Sequence, residues 1–135
     1  MVALNSEGKL VDRPLSPHLQ VYRWPISMAL SILHRVTGVG LAFGTLILTW
    51  WLVATAGSDI EFDRAQHFIG SVPGLLILFV WSVALIFHFF SGIRHLFWDL
   101  GIGFGAPTST MSGWAVLVAT GAFTTVVWLV GLLVR

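Results

Sequence analysis

The chain has 135 residues, a formal net charge of +1, 56% hydrophobic residues and only 10% charged ones. That balance is too apolar for a soluble domain of this size, and nothing in the charge suggests a nucleic-acid partner. The absence of cysteine excludes disulfides, iron–sulfur clusters, thiolate-ligated haem and covalently attached haem from this chain.

Residues 1–25 are polar and contain Pro14, Pro17 and Pro25. With no early apolar core, they do not read as a cleavable secretory signal and are expected to lie at a membrane interface. Three stretches then decide the class. Residues 36–58 and 100–134 carry no charge, and residues 65–93 carry only His67 and His88. Each exceeds the roughly 20 residues a helix needs to cross about 30 Å of hydrocarbon. Helices satisfy their own backbone hydrogen bonds, so they are the form such runs take in lipid. The expectation is an all-α membrane protein of one domain, residues 1–135, with helices at about 27–56, 64–97 and 112–134.

Pro25 suits the first turn of the first helix. Gly40 and Gly44 form a G-x-x-x-G pair to whose small surface Gly38 adds, read as a site of close helix approach in preference to a notch for the edge of a porphyrin. The second helix is expected to start near Asp63 as a cap and to kink at Pro73 and Gly74. Ser112 is the expected cap of the third. The glycine-rich loop from Gly101 to Pro107 matches no phosphate-binding fingerprint. Lys9, Arg13, Arg23 and Arg35 precede the first helix and Arg94 ends the second, whereas Asp59, Glu61 and Asp63 lie on the other side. The positive-inside rule then places the N-terminus in the cytoplasm, or in the equivalent mitochondrial matrix. Trp24, Trp50, Trp51 and Trp98 fall near helix ends, as interfacial aromatics do.

His88 stands out because an ionisable side chain at bilayer depth usually marks function. It is walled by Phe87, Phe89 and Phe90, with Ser91 and Gly92 about one turn on. Two uses stand open: an axial ligand to haem iron, or a structural histidine hydrogen-bonded to a neighbouring helix. Ser31 and Arg35 are four residues apart and share a helix face near the N-terminal end of the first helix. His34 lies beside them, and Arg94 and His95 end the second helix on the same side of the membrane. Snorkelling accounts for the arginines alone. Hydroxyls and imidazoles beside them suit a quinone carbonyl or the propionates of a haem. His88 and His95, seven residues apart, share a face about 10 Å apart along the axis. A small transporter subunit is disfavoured, because the polar residues gather at one membrane face instead of lining the depth of a helix.

Three strings carry a family resemblance. They are Arg13-Pro-Leu-Ser-Pro-His18-Leu-Gln-Val-Tyr22, Ser31-Ile-Leu-His-Arg35-Val-Thr-Gly38, and His88-x-x-x-Gly92-Ile-Arg-His95-Leu-x-Trp-Asp99. Together they resemble the cytochrome b anchor subunits of succinate dehydrogenase, respiratory complex II, in its alphaproteobacterial and mitochondrial branch. The resemblance covers nearly the whole chain. It implies half of a heterodimeric helix bundle that shares one haem b with a second small anchor subunit, each giving one axial histidine. His88 falls at the ligand position. His34, His95 and Arg94 fall near the haem propionates, and Ser31 and Arg35 at the ubiquinone site. It further implies an iron–sulfur subunit and a flavoprotein subunit docked on the cytoplasmic or matrix face, which carry the clusters and FAD. The Pro-Leu-Ser-Pro-His segment is expected to run along that interface. Relatives of such anchors include haem-free structural anchors and quinol:fumarate reductase anchors, which remain the alternatives.

Overall fold

In the computed structural model, residues 2–12 and 22–134 are described. Four helices dominate them: α1 (Ile26–Ala56), α2 (Asp59–Gly70), α3 (Val72–Asp99) and α4 (Ala106–Val134). Helices α1, α3 and α4 are long and apolar enough to cross a membrane. They are joined in chain order so that α3 runs back along α1 and α4 along α3. Large apolar side chains remain exposed along all three, among them Val36, Phe43, Val80, Phe89, Phe123 and Val130. That outward apolar surface is what a helix presents to lipid.

The second span departs from expectation. It is two helices, not one kinked helix beginning at residue 64. The Ser58 hydroxyl accepts from the Glu61 N–H while the Glu61 carboxylate accepts from the Ser58 N–H, a capping box that starts α2. The chain then breaks at Ser71, whose hydroxyl accepts from the Gly74 N–H and caps α3. Pro73 falls in the first turn, where its missing N–H costs nothing. It begins α3 instead of bending it. Gly74 is needed there because a Cβ would collide with the carbonyl oxygen of Phe68. Helix α2 carries Asp59, Glu61, Asp63 and Arg64 and packs back on α1 and α3 around the fully buried Ala65. The Trp51 Nε1–H donates to Gln66 Oε1 at 3.2 Å, fastening α2 to the end of α1.

The last helix also starts earlier than expected, at Ala106, so Ser112 lies inside α4 and is not its cap. Gly101, at φ +79°, turns the chain out of α3 in the left-handed region that favours glycine. Within residues 1–25, a feature unseen in the sequence appears. Strands β1 (Val2–Leu4) and β2 (Leu10–Asp12) form an antiparallel hairpin with Ala3 opposite Val11. The part of the first resemblance string from Arg13 to Val21, with its expected course along the interface, lies outside the described residues.

The helices interlock at small residues. Leu30, Phe87 and Val116 form the buried core, one from each spanning helix, with Ile26, Phe90 and Leu117 against it. Gly113 admits Leu30: a Cβ there would stand 2.9 Å from the leucine Cδ1. Of the G-x-x-x-G pair, only Gly44 serves close approach within this chain. Its missing side chain is replaced by the Trp81 indole, whereas a Cβ on Gly40 would meet open space.

Candidate functional site

The core at Leu30, Phe87 and Val116 fixes the relative rotation of α1 and α3, and so decides which polar residues meet. His34 projects from α1 between two side chains of α3. Its ring stacks on His88 at 4.0 Å between centroids, with 22° between the planes, and on His95 at 4.8 Å and 18°. The three imidazoles form one column across the α1–α3 seam. Gly38 makes the approach possible, since a Cβ there would stand only 3.1 Å from His88 Cε1.

The ring nitrogens are held differently. His88 Nδ1 lies 3.1 Å from the His34 carbonyl oxygen and 3.3 Å from the Thr37 hydroxyl, both on α1. A carbonyl only accepts, so His88 Nδ1 carries the proton, and in the neutral ring Nε2 then keeps its lone pair. His95 Nδ1 instead reaches the Ser91 carbonyl of its own helix at 2.7 Å. The same logic leaves His95 Nε2 as an acceptor. His34 Nε2 is buried without a hydrogen-bond partner, which marks an incompletely satisfied polar position.

Ser31 and Arg35 sit on the same helix as His34, rotated about 60° and 100° from it at 100° per residue. Ser31 is half-buried and Arg35 exposed. The pair therefore lies at the rim of the histidine column, on a surface that this chain leaves open.

Arg94 goes elsewhere. Six residues from His88, it lies about 120° around α3, facing α4 instead of α1. It is 5% exposed. Its Nε donates to Ser112 Oγ at 2.9 Å and its Nη2 to the Ser109 carbonyl at 2.9 Å, while the guanidinium lies 4.0 Å from the centre of the Trp98 ring. No carboxylate pairs with it among the described residues. The structure thus brings His34, His88 and His95 together and sets Arg94 apart, as a tie between α3 and α4. Hydrogen bonds to a charged group contribute about 1.5–3 kcal/mol each. Arg94→Met is therefore expected to lower the thermal unfolding midpoint of the detergent-solubilised protein. Arg94→Lys should restore it only in part, because an ammonium cannot reproduce the guanidinium fork. An unchanged midpoint for Arg94→Met would remove the tie.

Thr37 is the site residue that residue-by-residue reading misses, and Gly38 reads from the sequence only as part of a small packing surface. Both lie inside the Ser31–Gly38 string, but only packing shows that they face His88. A second feature of the seam is an open apolar groove of about 640 Å³, bordered by Gly40, Gly44, Leu48, Trp51 and Trp81. No titratable group lines it among the described residues, and its polar groups are the Gln66 amide and the indoles of Trp51 and Trp81.

Comparison with known proteins supplies the family. Residues 9–127 match the succinate dehydrogenase/fumarate reductase transmembrane subunit family. The chain belongs to that family. It is accordingly a membrane subunit of an oxidoreductase complex. Among its relatives, the succinate dehydrogenase cytochrome b556 subunit of Rickettsia bellii is 41% identical over 116 residues, 86% of this chain and 90% of the relative. The Paracoccus denitrificans cytochrome b556 subunit is 41% identical over 109 residues, 81% of this chain and 84% of the relative. The mitochondrial cytochrome b560 subunit of Sus scrofa is 38% identical over 114 residues, 81% of this chain and 66% of the relative.

Proposed function

We propose that this chain is the cytochrome b anchor of a succinate:ubiquinone oxidoreductase. In that complex it shares one haem b with a second small anchor subunit and contributes to the ubiquinone site. The observation that carries the reading is His88. It sits within a spanning helix and its Nδ1 lies 3.1 Å from the His34 carbonyl, an acceptor that in the neutral ring leaves the lone pair on Nε2. A metal-ligating histidine commonly has its second nitrogen tied to such a carbonyl. A bare metal ion is a poor fit: the three imidazoles stack face to face, and no group of three or more His, Cys, Asp or Glu side chains among the described residues is arranged to hold one. A porphyrin would bring four nitrogens of its own, so a single histidine of this chain, His88, would be enough to hold its iron from this side. Gly92, one turn from His88, leaves open space where a side chain would stand, as a flat group lying against α3 requires. Haem, when bound, supplies a one-electron store between donor and acceptor.

The surrounding residues take distinct tasks. His34, in the middle of the column with its Nε2 unpartnered, and His95, at its end, would offer hydrogen bonds to haem propionates. Arg94, spent on α4, is a weaker candidate for that role than the resemblance implied. The Ser31 hydroxyl donates to a quinone carbonyl oxygen. The Arg35 guanidinium stabilises the negative charge that the quinone acquires as electrons arrive. Ser31 and Arg35 lie on an open surface, so the pocket is completed by partner subunits. Overall, succinate loses two electrons and two protons to become fumarate, and ubiquinone gains two of each to become ubiquinol. The first half-reaction belongs to the flavoprotein subunit and the electron path to the iron–sulfur subunit, both docked at the N-terminal end of α1. The setting is a bacterial inner membrane, N-terminus in the cytoplasm, or the mitochondrial inner membrane with the N-terminus in the matrix.

The test is a reduced-minus-oxidised spectrum of the complex purified with its partners. A b-type band together with succinate-dependent ubiquinone reduction supports the reading. A spectrum without haem in an active complex leaves a purely structural anchor.

A further inference from the structure

Thr37 belongs neither to the histidine column nor to the quinone pair, yet its hydroxyl touches His88. That hydroxyl has one hydrogen, and the helix claims it. Oγ1 lies 2.9 Å from the Leu33 carbonyl and 2.9 Å from the His34 carbonyl, both in the preceding turn of α1. What remains are the oxygen lone pairs, 3.3 Å from His88 Nδ1. The His34 carbonyl, 3.1 Å from the same nitrogen, is also an acceptor. Two acceptors converge on one ring nitrogen. A lone pair on Nδ1 would face both of them, so the proton must sit there.

We propose that Thr37 is a positioning residue for His88. Its hydroxyl and the His34 carbonyl together hold the Nδ1 proton, orient the ring, and keep the Nε2 lone pair free for a metal. This rests on reading His88 as the haem ligand. The contrast with His95 shows what is particular to the arrangement. His95 takes its Nδ1 partner from its own helix, at Ser91, so although its ring stacks on His34, α1 does not hold its ring nitrogen. His88 takes both partners from α1, across a seam closed at Gly38. The seating of α1 against α3 is therefore transmitted to the electronic state of His88. An acceptor on Nδ1–H makes the imidazole a stronger donor through Nε2, which favours the oxidised metal. Taking that acceptor away raises the midpoint potential.

The experiment uses the assembled complex with Thr37→Val, Thr37→Ser and His88→Leu. The haem potential is followed by redox titration and the ligand field by electron paramagnetic resonance. Thr37→Val keeps the shape and loses the hydroxyl. The expected result is a haem that stays low-spin, with a raised midpoint potential and shifted g-values, and Thr37→Ser returns both to the parent values. If Thr37→Val leaves both unchanged, or if Thr37→Ser shifts them equally, the positioning role is overturned. Should Thr37→Val assemble poorly, Thr37→Ala carries the same two measurements. His88→Leu separates the two ideas: an unchanged low-spin signal there refutes the ligand assignment itself, whereas its loss together with an indifferent Thr37→Val refutes Thr37 alone.

Discussion

His88→Leu is expected to abolish or rebuild the b-type spectrum of the assembled complex while the chain still inserts in the membrane. Leucine keeps the apolar bulk within α3, so the cost to insertion is small or favourable. The coordinating nitrogen is lost outright. No neighbouring imidazole is placed to substitute without repacking, because His34 and His95 are stacked in the same column with their rings nearly parallel. Absorption spectra measure haem content, and electron paramagnetic resonance reports the ligand set. A high-spin or absent signal is the expected outcome. An unchanged low-spin signal removes His88 as the ligand, and the structural alternative, a histidine bonding α1 to α3, then stands.

Ser31→Ala and Arg35→Leu are expected to depress ubiquinone reduction without stopping succinate oxidation. A hydrogen bond lost from a buried carbonyl-binding site costs about 1–3 kcal/mol, or roughly 5- to 150-fold in affinity or rate. The effect should be confined to the quinone step. Electron transfer from succinate to an artificial acceptor that draws on the soluble subunits should persist near the parent rate. Steady-state kinetics with both acceptors, normalised to assembled complex, distinguish the roles. Equal loss of both activities with less complex in the membrane makes Arg35 a topological anchor. Normal quinone kinetics in both variants takes the pair out of the site.

The membrane class and the three spans are legible in the sequence because the bilayer imposes a length on any charge-free run. The chain cannot place an uncharged stretch such as residues 100–134 anywhere else at comparable cost. The division of the second span is less legible. Pro73 and Gly74 are equally consistent with a kink and with a first turn, and only the Ser71 cap decides between them. The N-terminal hairpin escaped notice because its strands are three residues each, too short for an alternating pattern to register.

For the site, the sequence by itself determined the residue types and their helical phase. It placed His88 at membrane depth, put His95 on the same face, and set Ser31 beside Arg35, because those relations follow from 3.6 residues per turn within a single helix. Relations between helices are a different matter. That His34 enters the column between His88 and His95, that His88 Nδ1 meets the His34 carbonyl and the Thr37 hydroxyl of α1 and not the preceding turn of α3, and that Arg94 turns to Ser109 and Ser112 depend on how α1, α3 and α4 are rotated against one another. That rotation is set by size: Gly38 and Gly113 admit His88 and Leu30, and the core around Phe87 closes only when they do. Close packing of large into small is a property of facing surfaces, so one helix's periodicity cannot contain it, and the tertiary structure alone decided it.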